Sequence, residues 1–510
     1  MSEVKHYSTA TEDRIPFFQK FIYGLGALCN QLLTAAMSVI VIVLNIGLGM
    51  NPAWVGYIMA IPRFIDAVID PIMGYITDQT KSQWGRRRPY IFIGALLSGI
   101  IFILMWQIPA AKSQHYYFAF FTIGFILFYI AYTIYAAPFI ALGYEMTPDY
   151  HERTRLMSMT NIVGQFAWTI TPWLYPIIWS APSHKNFIDK VFAFLHLPET
   201  WKGAIVFTNL VDGARGISIW VGIFVALIGI LPALFIRERF YEIAKSEDLT
   251  EAPKKTSAKE EIIASFKNFF KGFFITLRNL HFLKLCAAMF LVFNGFQLIG
   301  GLAPYNIIYY VYKGDQANAS SFMCWFFTIS SLMTSCVIPL ILWFSTKVGK
   351  RNAFYISTWI SIFGYALKWF CYSNENPYLL FIPTPFIAFG LGGLFTLVGS
   401  MMADVCDHDE LQNGHRREGM FGAVNWWIVK LGMAVAFACS GHLLNIAGFD
   451  VNIGNVQDDS ALFMMRFFEV SIPIVTSLLA MLAVTRYEIT EEKAHEIREA
   501  LEKKRGKATA

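Results

Sequence analysis

The sequence predicts an all-α integral membrane protein with about twelve transmembrane helices, arranged as two pseudo-symmetric bundles of six. Of its 510 residues, 55% are hydrophobic and 15% are charged, and the mean hydropathy of +0.46 is too high for an ordinary soluble protein. Apolar runs of about 20 residues, enough to cross roughly 30 Å of hydrocarbon as helix, recur along nearly the whole chain. The runs are too long and too uniformly apolar for barrel strands.

The predicted spans define the domains. In order they cover residues 17–49, 53–77, 90–110, 116–144, 157–180, 217–236, 282–312, 321–344, 352–372, 378–403, 419–447 and 461–485. The first six lie in an amino-terminal bundle, residues 1–236, and the last six in a carboxy-terminal bundle, residues 282–485. Between them we expect a cytoplasmic linker with an amphipathic helix, residues 237–281, and after them a cytoplasmic tail, residues 486–510.

The distribution of charge predicts orientation and excludes several functions. Placing both termini in the cytoplasm puts most of the 41 Lys and Arg residues on that side, as the positive-inside rule requires. The net charge of +5 follows from this bias and indicates no nucleic-acid partner. No nucleophile elbow, Cys/His metal motif or glycine-rich phosphate loop is present, so we expect neither an enzyme nor a cofactor.

The second predicted span carries an unusual set of charges. Arg63, Asp66 and Asp70 follow an i, i+3, i+7 spacing and therefore share one helix face. Each charge costs a few kcal/mol in hydrocarbon, so this face must meet the bundle interior or a wet cavity. The two carboxylates disfavour joint ionisation, so Arg63, a lysine of another helix, a proton or Na⁺ must relieve them.

Two residues of other spans complete a candidate cation site. Lys430 lies deep in the eleventh span, and Thr133 in the fourth span offers a hydroxyl. Lys368 is nearer a helix end, where we expect its ammonium to extend towards the interface. The alternative is a buried ion-pair network that holds the helices in register.

A basic turn between the second and third spans is a candidate cytoplasmic gate. Gly85 permits a tight reversal, Pro89 suits the first turn of a helix, and the arginines can pair with nearby acids. The turn is either a latch that breaks during transport or an inside-positive anchor. The gate residues are Asp78, Arg86, Arg87, Arg88, Glu145, Glu152, Arg153 and Arg417.

Several of these segments resemble a known family. The residues from Asp66 to Gly74, the turn Trp84-Gly-Arg-Arg-Arg-Pro89 and the segment from Glu145 to Leu156 are similar to those of the glycoside-pentoside-hexuronide:cation symporters. These form the melibiose-permease-like branch of the major facilitator superfamily. The resemblance implies the major facilitator fold and symport of a sugar or glycoside with Na⁺, Li⁺ or H⁺. It also implies that Asp66 and Asp70 bind the coupling cation, with Thr133 and Lys430 close by.

The chain departs from the melibiose-permease pattern at three sugar-binding positions. Gln31, Ala136 and Asn161 stand where the resemblance implies two acids and an arginine, so we expect a glycoside other than melibiose. Amides can still hold hydroxyl groups, and aromatic rings can stack on sugar C–H surfaces. The predicted substrate set is Tyr23, Asn30, Gln31, Tyr132, Tyr135, Asn161, Gln165, Trp168, Asn294, Gln297, Asn425 and Trp426.

Three alternatives stay open at this point. The first is transport of a non-sugar amphiphile such as a lysolipid, which Ala136 and its neighbour Ala137 would let pass. The second is an uncoupled facilitator, and the third is a membrane sensor without transport. For the transporter we expect a small-molecule substrate, a functional monomer and a location in the cell membrane.

Overall fold

The computed structural model describes residues 14–80, 82–109, 111–147, 150–178, 209–236, 238, 272, 274–413, 418–454, 456–485, 487–489 and 491–505. Within these ranges every regular element is a helix, which confirms the predicted fold class. The first helices are α1 (Phe17–Ile40), α2 (Pro52–Gln79), α3 (Arg88–Met105), α4 (Gln114–Glu145), α5 (Tyr150–Ile170), α6 (Leu174–Ile178), α7 (Leu210–Gly229) and α8 (Leu231–Phe235). They are followed by α9 (Leu280–Tyr305), α10 (Gln316–Val348), α11 (Lys350–Cys371), α12 (Thr384–Gly393), α13 (Gly399–Asn413), α14 (Glu418–Ile446), α15 (Asp459–Val484) and α16 (Glu491–Arg505).

Each predicted span is helical over most of its described residues. Nine of the described helical segments are long and apolar enough to cross a membrane. The remaining three predicted spans correspond to α2, α5 and α11, which are helices of 28, 21 and 22 residues with a more polar composition. A polar helix is tolerated in a bundle where its polar side meets another helix or a water-filled cavity. The polar helices are therefore candidates for the functional face.

The chain forms two compact units. The first takes the described residues of Met1–Leu48 and Val68–Phe266, and the second those of Gly49–Ala67 and Lys267–Ala510. The amino-terminal half of α2 thus clusters with the carboxy-terminal helices. The sequence also predicts an external polar segment, about residues 181–216, with a short helix at residues 185–195. This short helix and most of the predicted linker lie outside the described residues. The domain bounds therefore stay a prediction.

Small residues set the helix spacing inside the first unit. A Cβ atom on Gly94 of α3 would lie 2.5 Å from the Tyr135 amide nitrogen of α4. A Cβ atom on Gly99 of α3 would lie 2.5 Å from the Gly222 carbonyl oxygen of α7. Helices in lipid gain no hydrophobic free energy by associating with each other. The van der Waals contacts made at these close backbone approaches therefore stabilise the helix packing.

In the described part of the chain, three π-helical segments interrupt the α-helical pattern. Val43–Gly47 follows α1, Asn306–Val311 continues α9, and Leu394–Val398 joins α12 to α13. A π-turn leaves a local gap in the regular hydrogen-bond ladder and is common at functional sites.

Candidate functional site

The charged face of α2 meets a lysine of α14. The Asp66 carboxylate is fully buried, and its Oδ2 atom lies 3.0 Å from Lys430 Nζ and 3.7 Å from the Arg63 guanidinium. Arg63 is itself buried, whereas the Lys430 side chain is 22% exposed. Of the charge partners foreseen for Asp66, the structure provides two, a neighbour on its own helix and a lysine of another helix.

Close backbone contact places Lys430 opposite Asp66. A Cβ atom on Gly56 of α2 would lie 2.5 Å from the Phe437 carbonyl oxygen of α14. One on Gly441 would clash with the Pro52 carbonyl oxygen. The two glycines therefore let the helices touch along the segment that precedes Asp66.

Polar pairs hold the same two helices in register. The Asn445 amide donates to Asn51 Oδ1 at 2.8 Å, and the Tyr57 hydroxyl lies 3.2 Å from His442 Nε2. Both pairs are exposed at one end of the second unit. With register fixed by these contacts, the Lys430 ammonium is positioned against Asp66.

The other two predicted cation ligands belong to the first unit. Asp70 is half-buried one helical turn beyond Asp66 on the continuous helix α2, and Thr133 is 1% exposed on α4. One turn separates neighbouring Cβ atoms on a helix face by about 5–6 Å. The predicted ligands thus offer carboxylate and hydroxyl oxygens of the kind that hard cations prefer. The binding of an ion by this set stays a prediction.

Part of the predicted substrate set forms an exposed polar face on α1 and α5. Gln31, Asn161, Gln165 and Trp168 are all exposed, and Trp168 Nε1 donates to Gln31 Oε1 at 3.3 Å. Amide groups exposed at mid-helix are costly in lipid, so this face is suited to a wet cavity.

Other members of the set are used for helix packing. The Tyr23 hydroxyl donates to the Phe139 carbonyl at 3.2 Å, and the Tyr135 hydroxyl donates to the Gly26 carbonyl at 2.8 Å. Both tyrosines are buried. Their only hydroxyl hydrogens are engaged between α1 and α4, so in this structure they serve the core of the first unit. Tyr132 is partly buried among rings, 6.1 Å from the Phe128 centroid.

Two predicted amides retain a buried acceptor atom without a donor. Asn30 Oδ1 on α1 and Asn294 Oδ1 on α9 have no hydrogen-bond partner in the described part of the chain. The Asn294 amide nitrogen donates to the Phe290 carbonyl at 2.7 Å. Buried polar atoms in native proteins are nearly always satisfied, so these two acceptors point to a missing donor.

The remaining members lie in the second unit. Gln297 is partly buried on α9, Trp426 is 58% exposed on α14, and Asn425 accepts a weak hydrogen bond from Cys286 Sγ at 3.9 Å. Trp426 lies one turn before Lys430 on α14, so the two side chains share a helix face.

The predicted gate turn is organised by a residue that the sequence analysis missed. The buried carboxylate of Glu238 accepts hydrogen bonds from the backbone N–H groups of Arg86, Arg87 and Arg88 at 2.8–2.9 Å. These N–H groups lie at the start of α3, where the helix dipole also favours a negative charge. Glu238 follows α8, so the contact fastens the end of α8 to the start of α3.

The arginine side chains of the turn bind main-chain carbonyl groups. Arg87 donates to the Ala141 carbonyl at 2.6 Å, and Arg88 donates to the carbonyls of Ala233 and Leu234 at 2.5 and 3.1 Å. We expected carboxylates as partners, and the pairing of the turn with those acids stays a prediction. The side chains of Asp78, Glu145 and Arg153, and the whole of Arg417, lie outside the described residues.

Glu152 ties the first residues of α5 to α1. Its carboxylate lies 2.5 Å from Lys20 Nζ and 3.1 Å from Arg155, and it accepts the Ile15 N–H at 3.0 Å. Burial alone would raise the pKa of Glu152, but the hydrogen bonds from Lys20, Ile15 and Arg155 outweigh burial and lower this pKa below its ordinary value.

A second charged cluster lies in the second unit. Lys368 is 5% exposed, and its ammonium lies 2.5 Å from Glu469 Oε1, so the expectation that it extends towards the interface was wrong. The physical reason is a fully buried carboxylate on α15 that outcompetes water for the ammonium. The spacing of Arg466 and Glu469 in the twelfth span, i and i+3, was the available signal.

Known proteins share this fold, and known relatives match most of the length of this chain at low identity. A solved bacterial homologue of the human lysosomal transporter Spinster is similar with a TM-score of 0.62 at 14% identity, over 95% of this chain and 98% of that one. The isoprimeverose transporter of Lactiplantibacillus pentosus is 22% identical over 94% of this chain and 91% of its own. The sodium-dependent lysophosphatidylcholine symporter 1-B of Danio rerio is 22% identical over 99% of this chain and 93% of its own.

The family itself follows from a match over nearly the whole sequence. A family model described as MFS/sugar transport protein matches residues 22–491. The match confirms the resemblance noted in the α2 and loop motifs, and it makes the chain a multi-pass membrane transporter rather than an enzyme or a sensor. The chain belongs to the MFS/sugar transport protein family.

Proposed function

We propose that this transporter is a symporter. It moves a hydroxyl-rich substrate of the sugar or glycoside class together with a coupling cation, Na⁺ or H⁺. The observation that carries the proposal is the buried Asp66 carboxylate with Lys430 Nζ 3.0 Å away. A carboxylate at this depth is costly and is typical of ion pathways.

Lys430 acts in this proposal as an internal substitute for the coupling cation. Without that cation, the ammonium neutralises Asp66 and the site is electrically satisfied. A proton or Na⁺ arriving at Asp66 and Asp70 competes with the ammonium and releases it from the carboxylate. The released lysine then changes the charge and hydrogen bonding beside Trp426, which shares its helix face. Thermodynamic linkage requires that the cation raises the affinity for substrate by the same factor by which substrate raises the affinity for the cation.

The substrate class is inferred from amide groups with unused capacity. Asn30 and Asn294 each lie about halfway along the first helix of their half, and each has an orphan buried acceptor. A sugar hydroxyl supplies the missing donor. Gln31, Asn161 and Gln165 add exposed amides, and Trp168 adds a ring for stacking. The similarity to a protein named as an isoprimeverose transporter also supports a glycoside as the substrate.

A non-sugar amphiphile is the second candidate. The exposed side of α5 also carries Ile162, Phe166 and Ile170, which are 61%, 52% and 52% exposed. An apolar stripe beside polar groups fits a molecule with a polar head and an acyl chain. The similarity to a protein named as a lysophosphatidylcholine symporter supports this second candidate.

The predicted location completes the proposal. The protein lies in the cell membrane as a monomer, with both termini in the cytoplasm, as the bias of basic residues towards the predicted inner loops indicates. Treating intact cells and inverted vesicles with a membrane-impermeant reagent that modifies a tag on either terminus tests this orientation.

Uptake by proteoliposomes tests the substrate class. Radiolabelled isoprimeverose, other glycosides, hexuronides and lysophosphatidylcholine are compared with an inward Na⁺ gradient, an inward proton gradient or neither. The proposal predicts accumulation of one glycoside or hexuronide above equilibrium with one of the two gradients. Equal uptake with and without gradients contradicts coupling, and accumulation of the lysolipid alone replaces the sugar with the amphiphile.

A further inference from the structure

Among the described side chains, the second charged cluster holds two cations and one carboxylate. Glu469 Oε1 binds Lys368, and Glu469 Oε2 accepts hydrogen bonds from the Tyr372 hydroxyl and the Asn306 amide. Both oxygens of the carboxylate are therefore engaged. Arg466 is the second cation of the cluster, and in the described residues its guanidinium lies against aromatic rings rather than a carboxylate.

The faces of the Arg466 guanidinium are covered by aromatic rings. Its central carbon lies 4.1 Å from the Tyr310 centroid, 4.6 Å from that of Trp369 and 5.2 Å from that of Tyr372. Rings stabilise a guanidinium through its flat faces and leave its N–H edge free for an anion. One N–H group donates to the Trp369 carbonyl at 3.1 Å, and Nε is buried without a hydrogen-bond partner in the described residues.

The position of Arg466 along its helix indicates the kind of anion. It lies seven residues after Asp459, the first residue of α15, which corresponds to about 10 Å along the axis. Trp369 is near the last residue of α11, and Tyr310 lies in the π-turn that ends α9. Tyr and Trp concentrate where a helix passes from hydrocarbon to headgroups. Arg466 therefore lies near the predicted external end of the twelfth span, residues 461–485, where its long side chain reaches towards the headgroups.

The surface beside Arg466 is apolar and exposed. Phe463 and Phe467 on α15 are 52% and 45% exposed, and Phe370 on α11 is 79% exposed. In a transporter these rings face acyl chains. A phosphate group reaching the guanidinium edge from this side belongs to a lipid more readily than to a solute.

We propose that Arg466, caged by Tyr310, Trp369 and Tyr372, binds the phosphate of an anionic phospholipid. The bound lipid neutralises the surplus positive charge of the cluster. It also stabilises the π-helical segment after α9, because Asn306 of that segment donates to Glu469 in the same cluster. This site shares no residue with the proposed cation and substrate sites, so it can be tested without them.

Lipid binding to the purified full-length protein tests the proposal. Wild-type protein in neutral detergent is incubated with ³²P-labelled phosphatidylglycerol or phosphatidylcholine, and the saturable bound fraction is measured. The proposal predicts preferential retention of phosphatidylglycerol. Arg466→Gln should reduce its affinity at least about tenfold, as expected for one charge-assisted hydrogen bond. Lys347→Gln is the matched control, because that exposed ammonium also lies over a ring, 4.9 Å from the Trp343 centroid.

Competition with inorganic phosphate distinguishes a lipid phosphate from a soluble anion at this site. Millimolar phosphate should leave the bound lipid in place, whereas displacement by phosphate assigns the site to a soluble anion and overturns the lipid proposal. Equal wild-type retention of the two lipids overturns it without any variant. Should Arg466→Gln fail to fold, Arg466→Lys keeps the charge but loses the planar fork, and it should bind phosphatidylglycerol more weakly than wild type. Unchanged affinity in a folded variant contradicts the proposal.

Discussion

At the residue scale, the pair formed by Asp66 and Lys430 has two alternative roles: it takes part in cation coupling, as proposed, or it only stabilises the helix packing. The sequence predicted both residues because charged side chains in apolar helices must find partners. Their direct contact at 3.0 Å gives the buried Asp66 carboxylate a partner of opposite charge. The Lys430 side chain is 22% exposed, which is compatible with the proposed displacement of its ammonium by an incoming ion.

The affinity for the coupling cation should rise when the internal competitor is removed. In Lys430→Gln no ammonium occupies the carboxylate, so Na⁺ or H⁺ should bind about tenfold more tightly, corresponding to roughly 1.4 kcal/mol. The cation dependence of substrate exchange in proteoliposomes measures this affinity. Lys350→Gln is the control, because Lys350 pairs with Asp404 at 2.7 Å outside the proposed site. A lower cation affinity in Lys430→Gln would mean that the lysine assists cation binding and does not compete with it.

Breaking the buried pair of Lys368 and Glu469 should destabilise the protein strongly. Glu469→Gln leaves the 5%-exposed ammonium without a carboxylate, which typically costs about 3–5 kcal/mol. Thermal unfolding in detergent should show a clearly lower Tm. Lys368→Met combined with Glu469→Met removes both charges and should recover part of the loss. A Glu469→Gln melting curve identical to wild type would rule out a strong ion pair.

Sequence reasoning predicted the charge cluster around Asp66 and missed the one around Glu469. Asp66 and Asp70 are paired acids on one helix face, which is a rare pattern with few explanations. Lys368 and Glu469 are single acidic and basic residues on different helices, 101 residues apart in the chain. Only the packing of α11 against α15 brings them together, so neither helix taken alone indicates the pair.

At the element scale, the start of α3 depends on Gly85 and Glu238. Gly85 has a φ of +109°, and a Cβ atom there would lie 2.7 Å from the Glu238 carboxyl carbon. This geometry could not be predicted, because the partner lies about 150 residues away and binds the main chain rather than the arginine side chains.

Gly85→Ala should therefore destabilise the first unit by about 1–3 kcal/mol through backbone strain and loss of the Glu238 contact. Thermal unfolding in detergent checks this. Gly74→Ala on α2 is the matched control, since no described atom lies within 4 Å of its added Cβ and a helical Gly→Ala change is neutral or slightly stabilising. Equal Tm shifts in the two variants would show that Gly85 has no special role.

The link between α1 and α5 should be sensitive to acid. The lowered pKa of Glu152 means that its contribution to stability is complete above the ordinary value of about 4.5 and is lost as pH falls through the lower folded value. Tm measured from pH 7 downwards should fall less steeply below pH 4.5 in Glu152→Gln than in wild type. Arg155→Gln should change little, because that side chain is 60% exposed. Parallel wild-type and Glu152→Gln profiles would contradict this assignment.

Helix positions were more predictable than helix irregularities. Hydrophobic length identified the spans, including those of the polar helices, because α2, α11 and the predicted span 157–180 that overlaps α5 each hold about 20 residues with an apolar majority. The π-segments at 43–47, 306–311 and 394–398 were not predicted. One inserted residue per turn changes the backbone without changing composition, so no hydropathy pattern reports it.

At the scale of the whole molecule, α2 is the element that joins the two units. Residues 49–67 cluster with the second unit and residues 68–79 with the first, so the division falls between Asp66 and Asp70. The proposed coupling requires that occupancy of Asp66 controls transport by the whole chain.

The most direct test is the substrate-induced charge movement of wild type and Asp66→Asn, measured on proteoliposomes with the sugar identified by uptake. We predict a wild-type current that requires Na⁺ or a proton gradient, and no cation-dependent current in Asp66→Asn, although the variant still binds the sugar. Cation-dependent currents of equal size in both proteins would show that coupling resides elsewhere and would contradict the role assigned to Asp66 and Lys430.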